Sequence, residues 1–201
     1  DFMQTRVPED MRRLNDIALS GNGEPTSVKE FAEVVQTLGD IAQRYALIGK
    51  IKLVLITNGS LISRENVQLG LSHMAKLNGE IWLKLDTASP GGGLRINHTR
   101  QSLNKTAEHI ALAAQLCPTW IQTCVFAWDG VPPSDKEQGD YLAFLARLLE
   151  RGVDLKGVLL YGLARPSLQA EAAHLSALPA DWLLQFGERI KACGLPEKMT
   201  P

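Results

Sequence analysis

Five short apolar runs alternate along the chain with segments of helical period, and that alternation limits the fold more than any other feature. The runs are DIALS (16–20), KIKLVLIT (50–57), EIWLKLD (80–86), WIQTCVFAW (120–128) and DLKGVLLYGL (154–163). Several are apolar on successive residues, as expected of strands covered on both faces. Between the first two, Val28, Phe31, Val34, Val35, Leu38, Ile41, Ala42 and Tyr45 fall on one helical stripe. ENVQLGLSHMAKL, LNKTAEHIALAAQL, YLAFLARLLERG and DWLLQFGERIKACG carry the same period. Ser27 with Glu30, and Ser134 with Glu137, are spaced as capping boxes at helix starts. Strict alternation predicts an α/β fold with a parallel sheet of consecutive βα units and right-handed crossovers. Five strands are too few for a closed eight-stranded barrel. A partial barrel or an open doubly wound sheet remains.

The chain has 201 residues, 45% of them hydrophobic, and no Pro/Gly/Ser-rich linker, so a single domain over 1–201 is expected. A formal net charge of -1 supplies no general field for nucleic acid or an anionic membrane. No apolar run approaches the roughly 20 residues of a membrane span. Cys117, Cys124 and Cys193 form no CxxC pair, and the sparse, odd count suits a reducing, cytoplasmic setting. Cys117 and Cys124 read as core thiols. His73, His98, His109 and His174 show no metal-ligand spacing.

Parallel α/β folds bind ligands beyond the carboxyl ends of their strands. Polar residues gather at each such end here. Ser20-Gly21-Asn22-Gly23-Glu24-Pro25-Thr26 follows the first strand and Thr57-Asn58-Gly59-Ser60 the second. Lys84, Asp86 and Thr87 close the third, Gln122 and Thr123 lie on the fourth, and Tyr161-Gly162 leads to Arg165-Pro166 after the fifth. Taken singly, each cluster is explained by turn chemistry; together they describe a small-molecule site. Known glycine motifs do not fit. A dinucleotide fingerprint needs glycine where Thr26 stands, and SPGGGLRIN (89–97) lacks the lysine of a P-loop. That stretch reads as a flexible loop, with an active-site lid as the functional alternative.

SGNGEPT, after a short buried strand and before an amphipathic helix, resembles the Gly-Gly-Glu motif of the radical S-adenosylmethionine enzymes. LITNGSLI, IWLKLDTA, IQTCVFAW and GVLLYGLARPS resemble the strands that follow it in that superfamily, so the likeness runs from about Asp16 to about Gly194. The resemblance implies a partial (β/α)6 TIM-type barrel, here missing its first strand, with S-adenosylmethionine at the strand ends. Ser20, Gly21, Gly23 and Glu24 would meet the methionine amino group, with Glu24 serving the ammonium or holding the turn. Asn58, Lys84 or Asp86 would stand near the cofactor's polar atoms, with Gln122 and Tyr161 along the later strands. Arg165 would contact a substrate carboxylate or phosphate, against the alternative of a surface arginine before a proline.

The family's Cys-x3-Cys-x2-Cys motif, which holds a 4Fe-4S cluster, does not occur in the sequence. The expectation is that residues 1–15 are a helix tail leading into the strand at 16–20, that the cluster cysteines lie upstream in a full-length protein, and that this chain alone does not generate the 5′-deoxyadenosyl radical. Two other readings stay open: a cluster-free barrel remnant acting as a binding or scaffold module, and an unrelated α/β enzyme in which SGNGEP is a coincidental turn. The substrate is not legible. An unpaired edge at 16–20 would invite self-association.

Overall fold

A computed structural model describes residues 2–21, 23–163, 167–168 and 170–200. Six parallel strands form one sheet: β1 (Asp16–Leu19), β2 (Lys52–Thr57), β3 (Gly79–Lys84), β4 (Thr119–Cys124), β6 (Leu155–Tyr161) and β8 (Glu197–Thr200), adjacent in that order. The remaining pair, β5 (Ala127–Trp128) and β7 (Leu175–Ser176), is a separate antiparallel ribbon. Helices α2 (Phe31–Arg44), α3 (Glu65–Lys76), α5 (Leu103–Leu116), α6 (Asp135–Glu150) and α7 (Ala180–Ala192) are the crossovers. Two short helices complete the set, α1 (Phe2–Arg6) and α4 (Gly92–Asn97). The architecture is a parallel sheet of consecutive βα units, a partial TIM-type barrel.

Alternation along each strand sorts side chains between two environments. Leu53, Leu55, Ile81, Leu83, Ile121, Val158 and Leu160 face the helices and are at most 5% exposed. Val67, Leu71, Met74, Ile110, Leu145, Leu148 and Ile190 meet them from the helix side. The opposite, concave face carries Val54 and Ile56 on β2, Trp82 and Lys84 on β3, and Trp120, Gln122 and Cys124 on β4. Trp82 and Trp120 stand side by side in register, and the Lys198 ammonium sits 4.3 Å from the Trp120 ring centre. The two indoles fill the floor of the half-barrel, and the polar residues are left at its rim.

Several local readings change. The stretch 120–128 is not one strand: Val125 N–H donates to the Tyr161 carbonyl, and Ala127–Trp128 turns away to pair with Leu175–Ser176. The last strand, β8, was not foreseen, because PEKMT holds a proline and two charged residues and only one residue type that marks strands, Thr200. Its docking explains Gly157, where φ is +139° and a Cβ would run into the Pro196 carbonyl. Ser27 and Glu30 form no capping box. Glu24 instead caps a 3-10 turn over Pro25–Ser27, and α2 starts at Phe31 without a side-chain cap. Ser134 and Glu137 do form theirs, in both directions. Helix α2 buries Phe31, Ala32, Val35 and Ala42 but leaves Val34, Ile41 and Tyr45 exposed, so only part of its stripe faces the core.

Candidate functional site

The strand ends are joined by side chains reaching from one to the next. Glu24 is the first link. Its Oε1 accepts from Thr26 N at 3.2 Å, Thr26 Oγ1 at 2.6 Å and Thr57 Oγ1 at 2.5 Å, and its Oε2 accepts from Asn58 N at 2.8 Å. One carboxylate thereby ties the turn after β1 to the end of β2, with Thr26 and Thr57 buried. Thr57 Oγ1 in turn accepts from Gly59 N at 3.0 Å, and buried His109 holds the Gly59 carbonyl through Nδ1 at 2.8 Å. Burial pulls the His109 pKa below its ordinary value, against the raising effect of that bond. His109 is neutral there, with the proton on Nδ1.

Within the clamped turn, Gly21 and Gly23 have φ of +146° and +139°, values that L side chains rarely adopt. A Cβ at either would meet no atom within 4 Å. The glycines therefore answer a backbone requirement, and the space before them is open to a ligand.

Asp86 is the second link. Its Oδ1 accepts from Cys124 N at 2.9 Å and its Oδ2 from Asn97 Nδ2 at 2.6 Å, which joins the ends of β3 and β4 to α4. Helix α4 has two further ties: Arg95 Nη2 donates to Glu137 Oε1 at 2.7 Å, and His98 Nε2 lies 3.2 Å from Glu171 Oε1. The stretch read as a loop is thus a short helix held by three polar side chains. It overhangs three cavities, and Ile96 lines all of them.

The largest, about 330 Å³, includes Asn58, Ser60, Lys84, Asn97 and His98 in its wall. The second, about 180 Å³, adds Asp86, Cys124, Trp128, Tyr161 and Glu171. The third, about 140 Å³, lies between α4, the loop after β4 and the start of α6. The structure thus brings Asn58, Lys84, Asp86 and Tyr161 together around one trough. Gln122 sits beside Lys84 in register, and its buried Oε1 has no hydrogen-bond partner among the described residues. The Lys84 side chain is exposed, and its ammonium makes no hydrogen bond or ion pair with the described residues. Ser20, Gly21, Gly23 and Glu24 do not line these cavities; Glu24 is tied to them through its bond to the Asn58 amide. Arg165 and Asn22 lie outside the described residues.

Cys117 is the core thiol it was expected to be, at 2% exposure. Cys124 is not: the alternation of β4 turns it to the concave face, against Tyr161. Burial pushes its thiol up to about 12, with Asp86 adding to the shift and Lys84 opposing it. Burial likewise raises the Tyr161 phenol. Both groups face the trough uncharged. His98 was absent from the expected site, and Arg95 and Asn97 entered it only through the lid alternative for 89–97. The signal for them was the polar RINH run after the glycines, which only the tertiary ties of α4 make meaningful.

A half-barrel of parallel βα units with a polar trough along its strand ends defines the class: an α/β fold of the partial TIM-type barrel kind. No protein-family profile matches the sequence, and no curated relative matches it. Solved structures do. A domain of a pyruvate-formate lyase-activating enzyme from Bacteroides vulgatus ATCC 8482 superposes with a TM-score of 0.59 at 14% identity, covering 93% of this chain and 99% of that one. A radical SAM methyltransferase from Sphaerobacter thermophilus gives 0.59 at 17% identity over 96% of this chain and 52% of that one. TYW1 with a lysine-pyruvate adduct bound gives 0.62 at 16% identity over 93% and 54%. The chain therefore spans about half the length of the latter two. These neighbours are radical SAM enzymes, and at such identities the likeness is one of fold.

Proposed function

We propose that the trough is the S-adenosylmethionine site of a radical SAM enzyme core. The observation that carries this reading is the Glu24 clamp, which fixes two open, positive-φ glycines against the end of β2 at the edge of the trough. With Oε1 engaged by Thr26 and Thr57 and Oε2 by the Asn58 amide, Glu24 holds the turn, and the glycine backbone is what meets the ligand's ammonium. Lys84 has a free ammonium for a carboxylate, whereas both Asp86 oxygens are occupied. The orphaned Gln122 Oε1 is available to a ligand N–H. Tyr161 offers a neutral hydroxyl.

S-adenosylmethionine, when bound, brings the sulfonium from which this superfamily draws its 5′-deoxyadenosyl radical. The residues present do not fit a 4Fe-4S cluster. Among the described residues no set of three or more His, Cys, Asp or Glu side chains could hold a metal ion. Cluster ligands would come from residues outside this sequence, and no step through a cluster is assigned to the chain.

The test is a titration of the 15N-labelled chain with S-adenosylmethionine, read at assigned amides. The expected result is saturable movement of Gly21, Gly23, Asn58 and Lys84, weakened at least tenfold by Gly23→Val, a loss of about 1.4 kcal/mol. Unmoved amides throughout the titration would overturn the reading.

A further inference from the structure

The third cavity differs from the trough it adjoins. Its apolar wall is Phe126, Trp128, Val131, Pro132, Pro133 and Phe186. Most of its polar side chains already bond within the chain. Thr123 Oγ1 donates to the Leu85 carbonyl at 3.0 Å and accepts from the Tyr141 hydroxyl at 2.6 Å. Gln138 donates to the Pro133 carbonyl and accepts from Arg189. Glu137 takes the Ser134 amide and hydroxyl together with Arg95. Thr87 pairs with Ser89, Asp86 with Asn97 and the Cys124 amide, and the Cys124 thiol with Tyr161. Every hydroxyl, carboxyl, carboxamide and guanidinium group along the slot has a partner within the chain.

A polar ligand group entering there would have to share or displace these bonds to recover its lost water. An apolar group loses nothing. Volume narrows the choice: an apolar cavity of about 150 Å³ is known to admit a benzene ring, and this one measures about 140 Å³. Continuity narrows it further, because Asp86, Arg95, Cys124, Phe126 and Trp128 border both the slot and the second cavity. A ring seated in the slot would therefore project the rest of its molecule into the trough.

We propose that this slot is a substrate subsite that takes one uncharged, phenyl-sized apolar ring, occupied together with the ligand of the trough. That the ring belongs to the substrate of a radical reaction rests on the function proposed above; that the slot takes a ring does not. The substrate class is an aromatic or compact cyclic apolar group attached to a polar remainder.

Fluorobenzene is the probe, observed by 19F NMR and by amide shifts of the 15N-labelled chain, with and without saturating S-adenosylmethionine. The expected result is saturable binding that moves Phe126, Val131 and Tyr141 and persists when S-adenosylmethionine is present. Val131→Trp places an indole at the mouth from a position already 66% exposed, and is expected to weaken the probe at least tenfold. Phe126→Ala, which removes a wall, is expected to weaken it as well and serves if the first variant misfolds. Absence of fluorobenzene binding in the unaltered chain overturns the proposal. Displacement of fluorobenzene by S-adenosylmethionine also overturns it, because the slot would then hold the cofactor's adenine. Ring binding in a chain that does not bind S-adenosylmethionine supports the slot and sinks the assigned function; the reverse result sinks only the slot.

Discussion

Glu24 is a structural tie as much as a site residue, and its replacement should register first in stability. Glu24→Ala leaves the buried hydroxyls of Thr26 and Thr57 without their shared acceptor. Hydrogen bonds to a charged group contribute about 1.5–3 kcal/mol, so a loss of roughly 2–3 kcal/mol is expected in urea denaturation. Glu24→Gln, which keeps the shape and one oxygen, should lose less. Equal stability of all three proteins would show that the clamp does not carry the turn. His109 sets a second expectation. Its folded pKa lies below the unfolded value of about 6.5, so the unfolded chain binds the extra proton first. Stability is therefore full above about pH 6.5 and falls as the pH drops below it, by at most about 1.4 kcal/mol per unit. His109→Gln, which can still donate to the Gly59 carbonyl, should flatten that slope. Urea midpoints at about pH 7 and about pH 5 decide it.

Among the elements, two sites with one sequence pattern behave differently. Ser134→Ala should cost about 1 kcal/mol, because Ser134 caps α6 and Glu137 returns the bond. Ser27→Ala should fall within about 0.5 kcal/mol, because its hydroxyl caps nothing. Thermal melts of the two variants test both values together. The contrast shows what could be read in advance. Doubly apolar strands such as KLVLIT and the fully periodic α5 announce themselves, because burial on a fixed face repeats at a fixed period. The SGNGEPT stretch was legible as a turn for a related reason: two glycines around Asn22, followed by Glu24 and a proline, favour a turn after a strand. What escaped depends on partners distant in sequence. Ser27 lost its role to Glu24 because Thr57, from the next strand, fixed that carboxylate first. Cys124 follows Trp120 and Gln122 to the concave face by the period of β4, which was hidden because 120–128 read as one buried strand although the chain turns away at Ala127. Helix α4 stands on ties to β3, α6 and the 3-10 segment Ala170–His174, none of which a local window contains.

At the scale of the whole molecule, β1 is hydrogen-bonded only to β2 among the described residues, and α2 leaves Val34 and Ile41 exposed. An unpaired strand edge and exposed apolar side chains are each a template for another chain. Sedimentation velocity across a range of concentrations should show self-association, reduced by Ala18→Lys with Ile41→Lys; monodisperse monomers throughout would refute it. Among the described residues no helix is long and apolar enough to span a membrane, and the surface that gathers most of the chemistry is the trough under α4. There Ile96 is a common wall of three chambers. A shared wall makes the chambers thermodynamic neighbours: any shift of Ile96 that one occupant favours alters the fit of the next, and the debt is mutual. If a molecule in the trough tightens a ring in the slot by some factor, the ring must tighten the molecule in the trough by the same factor.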